Sequence, residues 1–111
     1  MVIPSAITGE DLSDPARVEL LRKRFAGKRV VGCVASLTAE KDHATLIRAM
    51  KEVQSAQPDV VAVFVGEGPL RKDLQDLAHA LGVRVQFEGH QQNPYSYYRV
   101  FDAFVLCSRD E

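Results

Sequence analysis

The sequence predicts an α/β fold in which a parallel sheet is covered by helices on both faces. Two observations predict it. Apolar runs rich in β-branched residues alternate with amphipathic segments, as in βαβ units, and the runs are too continuously apolar for strands with one solvated face. The four runs are RVVGCVA (29–35), DVVAVFV (59–65), VRVQFE (83–88) and DAFVLC (102–107). Because crossovers are right-handed, we expect a four-stranded, doubly wound, Rossmann-like parallel sheet with strand order 3-2-1-4.

The segments between these runs carry helix signals. Asp14–Pro15 supplies a capping side chain and a proline at the first helical position. Asp42 is placed to cap a second helix, and Pro69 opens a third, which ends at Gly82, where a left-handed residue is favoured. A short helical turn follows Asn93. Each strand is therefore expected to be followed by a helix or a helical turn, except the last.

Composition excludes several classes of protein. The net charge of −1, from 14 basic and 15 acidic residues, gives no broad footprint for nucleic acid or an anionic membrane. Cys33 and Cys107 stand singly in apolar runs, so we expect buried, unreactive thiols rather than a metal or redox site. No apolar stretch reaches the ~20 residues of a transmembrane helix, and the N-terminus has no signal-peptide pattern. We expect a cytoplasmic chain without a transmembrane segment.

Residues 1–13 show too little pattern for a strand. We expect them to form a linker that leads into a single domain within residues 1–111 and stays outside the sheet. The run at 102–107 would then be an uncovered edge strand, and such edges pair with other chains. This predicts self-association.

Ligands of open α/β sheets bind beyond the carboxyl ends of the strands. The loops at that edge are 36–42, 66–69, 89–93 and 108–111. In the first of them, Lys41 stands just before a helix N-terminus, where free N–H groups and the helix dipole already favour an anion. This placement indicates a phosphate site, although Glu40–Asp42 also fits a solvated, capped helix start.

The other loops carry weaker signals. VGEGPL (65–70) lacks the third glycine of a dinucleotide loop and favours a tight strand-to-helix turn. The three histidines are too scattered to share a metal; His43 and His79 are expected at the surface or boundary of helices. His90 lies in a loop at the edge, where contact with a ligand and plain loop polarity are both open.

The sequence ends on SRDE just past the fourth strand. Ser108 offers a hydroxyl and Glu111 a carboxylate, and a carboxylate accepts strong hydrogen bonds from sugar hydroxyls. The same residues also fit an ordinary charged loop.

Taken together, these segments resemble the C-terminal, nucleotide-sugar-binding domain of GT-B glycosyltransferases, in particular the retaining group 1 or family 4 enzymes. VIPSAI resembles the family's VIPNGI, VVGCVASLTAEKD its VIGFVGRLxPEKG, and AVFVGEGPLRKDL its LVLVGDGPxRxxL. VQFEGH is similar to VxFLGF, and FDAFVLCSRDE to ADVFVLPSxxE. Five fragments in the family's order cover nearly the whole chain.

The resemblance implies roles for individual residues. Lys41 would contact the donor diphosphate, and Glu111 would be the first glutamate of the E-x7-E motif, a catalytic position close to the transferred sugar. The remaining donor-binding candidates are Ser36, His90, Ser108 and Arg109. The second glutamate would lie beyond this sequence. We therefore expect part of a donor-binding domain, inactive alone because the acceptor-binding domain is absent.

Two departures from the family pattern bear on activity. Ser36 replaces the usual arginine, and Ala35 and Asp42 replace flanking glycines. Because stabilising developing charge commonly contributes a few kcal/mol to catalysis, either another cation such as Arg109 substitutes or activity is modest.

The resemblance thus implies an enzyme of the hexosyltransferase kind that moves a sugar from a nucleoside-diphosphate-sugar to an acceptor, with retention. It implies no metal and no cofactor other than the donor substrate. Two alternatives stay open: a nucleotide-sugar 2-epimerase, and a non-catalytic nucleotide-binding or interaction module. The donor base, the sugar and the acceptor are not identified by the sequence.

Overall fold

The fold is that of a computed structural model, which describes residues 2–4, as backbone, and residues 12–106. The elements in chain order are β1 (Val2–Pro4), α1 (Pro15–Arg24), β2 (Arg29–Val34), α2 (His43–Ala56), β3 (Val60–Val65), α3 (Arg71–Leu81), β4 (Val85–Gly89), α4 (Tyr95–Tyr98) and β5 (Ala103–Val105). A short 3₁₀ turn, Ala39–Lys41, precedes α2. The predicted alternation of strands and helices is confirmed.

The strands form one sheet in the order β1-β5-β2-β3-β4. Strands β2 to β5 pair in parallel, with registers such as Val30↔Val61 and Gly32↔Phe104. Counted along the chain, these four strands have the predicted order 3-2-1-4. All six residues of β3 are buried, which accounts for its uninterrupted apolar sequence.

Two hydrophobic cores cover the two faces of the sheet, so the doubly wound arrangement is also confirmed. Successive side chains of a strand point to opposite faces. Phe64 packs with α2 and α3 on one face, while Val63 packs with Tyr97 and Phe101 beneath α1 and α4 on the other.

Strand β1 corrects one expectation. Residues 2–4 pair antiparallel with β5, in the register Ile3↔Phe104, so they do not stay outside the sheet. A three-residue strand is too short to show an alternating pattern, so no signal in the sequence indicates β1. Among the described strands the sheet edges are β1 and β4, so the expectation that β5 is an uncovered edge is wrong. Self-association of the chain stays a prediction.

A buried carboxylate joins α1, β4 and α4. Glu88 accepts hydrogen bonds from Arg24 Nη1 at 2.5 Å and from the Tyr97 hydroxyl at 2.7 Å, and Arg17 donates to that hydroxyl at 3.0 Å. Only 7% of the Glu88 side chain is exposed. Burial raises the pKa of Glu88, but the hydrogen bonds from Arg24 and Tyr97 outweigh it and hold the pKa below its usual value.

We therefore expect Glu88→Gln to lower the free energy of unfolding at pH 7 by about 2 kcal/mol, the range for hydrogen bonds to charged groups. A carboxyl group whose pKa is lowered by folding stabilises the protein above its unfolded pKa of about 4.3 and ceases to do so as the pH falls through the folded value. Urea unfolding of both proteins at pH 7 and below pH 4 should show the difference shrinking in acid.

The matched control is Glu19→Gln, which removes an exposed ion pair with Lys23 and should cost under about 1 kcal/mol. Equal losses in the two variants, or a difference that does not change with pH, would contradict this role of Glu88.

Candidate ligand-binding site at the carboxyl edge of the sheet

The loops that follow β2, β3 and β4 are bonded to one another through their backbones. Leu37 N–H donates to the Glu67 carbonyl at 2.9 Å, and Leu70 N–H donates back to the Leu37 carbonyl at 3.1 Å. Gly66 N–H donates to the Gly89 carbonyl at 2.8 Å. The three loops therefore form one fixed surface at the end of the sheet where ligands are expected.

Two glycines make this close approach between loops possible. Gly66 has a φ of 145°, and a Cβ there would collide with the Ala35 carbonyl oxygen. A Cβ at Gly68 would collide with the backbone of Leu37. These contacts support the interpretation of VGEGPL as a structural turn, because both glycines pack against protein backbone.

A crevice of about 440 Å³ lies between these loops. Ser36 and His90, both predicted donor-binding residues, line it together. Glu67 and Gln91 line it as well, and sequence reasoning missed them. The available signal was their position directly after a strand, at the edge where ligands bind. Glu67 forms an ion pair with Arg71, which neutralises its charge in the crevice.

Lys41 lies on the same loop as Ser36 but is not among the residues that line the crevice. It ends the 3₁₀ turn and is followed at once by α2, whose N-terminus therefore lies at the carboxyl edge of the sheet. The side chain is partly exposed and has no ion-pair partner among residues 2–4 and 12–106. The structure thus groups Ser36 with His90, and it places Lys41 further along the same loop as Ser36, at the start of a helix.

Asp42 differs from its predicted role as a helix cap. Its backbone is left-handed, with φ 54° and ψ 45°, and its side chain makes no hydrogen bond to the backbone of α2. Its carboxylate accepts instead from the Thr45 hydroxyl at 2.9 Å. Within residues 12–106, Asp42 therefore gives the first N–H groups of α2 no side-chain acceptor, as an anion site requires.

The left-handed backbone also explains a departure from the family pattern. Glycine adopts this conformation without cost, and aspartate is among the other residues that tolerate it. Asp42 can therefore replace the family's glycine and still keep the turn into α2.

His43 is buried, with 1% of its surface exposed, so its predicted surface or boundary position is wrong. Its ring packs edge-on against Phe64 at 4.9 Å between centroids, and Nε2 lies 3.7 Å from Cys33 Sγ. The missed signal was spacing: His43 stands three, four and seven residues before Leu46, Ile47 and Met50, which form the buried stripe of α2.

Burial lowers the pKa of His43, which leaves the imidazole neutral at pH 7. Its Nδ1 and the Oγ1 of Thr38 are buried without a hydrogen-bond partner in the described part of the chain. The buried position predicted for Cys33 is confirmed. Because the His43 imidazole is neutral, the positive charge that this loop brings to the start of α2 is that of Lys41.

Several predicted positions lie outside the described residues: Cys107, Ser108, Arg109 and Glu111. Over residues 2–4 and 12–106, no group of three or more His, Cys, Asp or Glu side chains could hold a metal ion. None of the helices in these residues is long and apolar enough to cross a membrane.

The fold and this edge define an α/β domain whose sheet carries two features at its carboxyl end: a crevice, and a helix that begins with a lysine and has no side-chain cap from its N-cap residue. Residues 21–111 match the family model described as glycosyl transferases group 1, and the chain belongs to that family.

Relatives and solved structures agree with this assignment. The chain is 40% identical over 84 residues to the lipopolysaccharide core biosynthesis glycosyltransferase LpsD of Rhizobium meliloti, an alignment that covers 74% of this chain and 23% of LpsD. Anabaena Alr3699/HepE, solved in complex with UDP and glucose, matches with a TM-score of 0.69 and 26% identity over 81% of this chain and 26% of that one.

The glycosyltransferase WaaG shares the fold, with a TM-score of 0.72 and 22% identity over 89% of this chain and 28% of its own. The similarity to these solved structures confirms the predicted Rossmann-like α/β fold. The chain spans about a quarter of the length of these relatives.

Proposed function

We propose that this chain is part of the donor-binding domain of a retaining, family 4 glycosyltransferase that transfers a sugar from a nucleoside-diphosphate-sugar to an acceptor. The observation that carries the proposal is the placement of Lys41 at the uncapped N-terminus of α2, on the loop that also supplies Ser36 to the crevice. Membership of the glycosyl transferases group 1 family supports it.

The diphosphate would bind at the start of α2. The N–H groups at the start of α2, which have no side-chain cap from Asp42, and the helix dipole stabilise phosphate oxygens, and the Lys41 ammonium adds a full positive charge. When the glycosidic bond to the diphosphate breaks, negative charge develops on the departing phosphate. Donors fixed in place before the reaction stabilise that charge without reorganisation. Fixed dipoles and a cation then do the work that a metal ion does in other transferases.

The replacement of the family's arginine by Ser36 makes Lys41 more important. Ser36 is exposed at the crevice and offers a hydroxyl but no charge. Arg71 lies close by but is engaged by Glu67 and, at 3.4 Å, by the Phe87 carbonyl. In the described part of the site, we therefore assign the main electrostatic role to Lys41.

The donor's sugar and nucleoside would extend from the diphosphate into the crevice. We propose that Ser36 and His90 contact them there, since both side chains line it. By resemblance, Ser108 and Arg109 would complete the donor site and Glu111 would lie next to the transferred sugar. We also propose a cytoplasmic location and no cofactor besides the donor.

UDP-glucose is the first donor to test, because the similar protein Alr3699/HepE was solved with UDP and glucose. A ¹⁵N NMR titration of the 111-residue chain with UDP-glucose and UDP should shift the amides of residues 39–45, 66–67 and 90–91. Uridine, which has no phosphate, is the matched control and should shift these amides far less.

The proposal fails if UDP leaves the amides at the start of α2 unchanged, or if uridine shifts them as much. We expect the chain alone to bind UDP-glucose without consuming it. Turnover by the isolated chain would overturn the assignment of the acceptor site to another part of the protein.

A further inference from the structure

A run of basic side chains ends α1 and leads into β2. Three of them pair with carboxylates, in the ion pairs Lys23–Glu19, Arg24–Glu88 and Arg29–Asp59. The other two, Arg22 and Lys28, are exposed and form no ion pair within residues 12–106. Lys28 lies near enough to Asp59 to help lower the pKa of that carboxyl, which is already paired with Arg29. The local sequence thus supplies more positive charge than the surrounding described structure neutralises.

Arg22 and Lys28 line a cleft of about 270 Å³, and Arg99, which follows α4, lines it from the other side. Arg99 is also exposed and without a carboxylate partner in the described part of the chain. The buried side chains of Phe25 and Phe101 contribute the apolar part of the lining. Three basic residues, two from the segment that ends α1 and leads into β2 and one that follows α4, therefore line one cleft.

One acidic residue, Asp102, also lines this cleft. Its Oδ2 accepts a hydrogen bond from the Val30 N–H at 2.6 Å, so the carboxylate is engaged by the backbone of β2. With three cations and one carboxylate, the cleft has a net positive charge.

The cleft lies far from the crevice that contains Ser36. Its residues stand where α1 ends and β2 begins, and the crevice lies where β2 ends. The cleft is therefore at the amino end of the sheet, opposite the proposed donor site, and a ligand bound there would not overlap the donor.

Basic residues in the last turn of a helix also stabilise its dipole. That effect accounts for Arg22, which lies in the last turn of α1. It does not account for Lys28, which lies beyond the helix. Arg99 is the C-cap residue of α4, but this helix has only four residues and therefore sums few peptide dipoles.

We propose that the cleft lined by Arg22, Lys28 and Arg99 binds a phosphate group. An arginine guanidinium can bind two phosphate oxygens at once, and a lysine ammonium adds a compact charge. The cleft has room for a phosphate and is open to solvent, so the group could belong to the headgroup of an anionic phospholipid or to a soluble phosphate compound. Both sources share the chemistry of the bound group, and the experiment separates them.

The test uses the 111-residue chain and two probes: inorganic phosphate, followed by ¹⁵N NMR, and vesicles of phosphatidylcholine with or without phosphatidylglycerol, followed by co-sedimentation. Phosphate should shift the amides of Gly27, Lys28 and Val100. The variant Arg22→Gln/Lys28→Gln/Arg99→Gln should weaken binding to the phosphatidylglycerol vesicles roughly a hundredfold, since each basic residue beside an anionic surface contributes about fivefold. The same variant should lose the amide shifts caused by phosphate.

The charge-matched control is Arg48→Gln/Lys51→Gln/Lys72→Gln, which removes three exposed cations from α2 and α3 and should leave binding unchanged. If the chain binds phosphatidylglycerol vesicles and the first variant loses that binding, the phosphate belongs to a lipid headgroup. If inorganic phosphate shifts the cleft amides but the vesicles do not bind, the phosphate belongs to a soluble compound. The proposal is overturned if neither probe acts at the cleft, or if the control variant loses as much binding. Because NMR reports each amide separately, phosphate binding at the proposed donor site around Lys41 is distinguished from phosphate binding at the cleft.

Discussion

Replacing Lys41 with alanine should weaken the binding of UDP by about tenfold to a hundredfold. Hydrogen bonds to charged groups contribute roughly 1.5–3 kcal/mol, and this ammonium lies beside a helix start that has no side-chain cap. Because Lys41 is partly buried, solvent and salt screen it less than a fully exposed lysine. Isothermal titration calorimetry with UDP at pH 7 would measure the loss.

Two further variants make the test specific to the position. Lys51→Ala removes an exposed lysine from the far part of α2, where it donates to the Leu81 carbonyl at 3.1 Å, and should leave UDP affinity unchanged. Lys41→Arg keeps the charge and should retain most of the binding. If Lys41→Ala binds UDP like the unmodified chain, or if Lys51→Ala is equally weakened, the donor site is not at the start of α2.

Replacing Gly66 with alanine should lower the free energy of unfolding by about 3 kcal/mol or more. A φ of 145° is rarely adopted by residues with a side chain, and such strain costs on the order of 1–3 kcal/mol. The new methyl group would also collide with the Ala35 carbonyl oxygen, and overpacking adds about 1–3 kcal/mol. Relief of that collision would move the loop that carries Ser36, so UDP binding should weaken as well. Urea unfolding and calorimetry would measure the two effects.

Gly27→Ala is the matched control. Gly27 also has a positive φ, of 78°, but a Cβ there would have no neighbour within 4 Å. It should cost only about 1 kcal/mol, the cost of a left-handed backbone for a residue with a side chain, and leave UDP binding unchanged. Equal destabilisation of the two variants would show that the contact between the loops contributes little.

The sheet and its helices could be predicted because their signals are local and repeated. Continuous apolar runs mark β2 and β3, and Asp14 caps α1 as its sequence indicates, accepting a hydrogen bond from Ala16 N–H at 3.1 Å. The strand order followed from the handedness of crossovers, a rule of chain geometry. Strand β1 was missed because three residues cannot show a period.

The site could be predicted only in part. The position of Ser36 and His90 just after strands was enough to predict that both lie at the same edge of the sheet, and both line one crevice there. Backbone conformation was not readable: Asp42 has the residue type of a helix cap but adopts a left-handed turn that directs its carboxylate to Thr45. Glu88 and Arg24 are 64 residues apart in sequence, so only the folded chain shows that they form an ion pair.

The pairing of β1 with β5 has a consequence for how the chain folds. Its register joins Ile3 to Phe104, nearly the full length of the sequence apart. Contacts of such separation carry the highest loop-closure entropy, and proteins dominated by them fold slowly. The other strand pairs, which join runs closer in sequence, can assemble first. The pairing of β1 with β5 would then form last, after the other strands have assembled into a sheet.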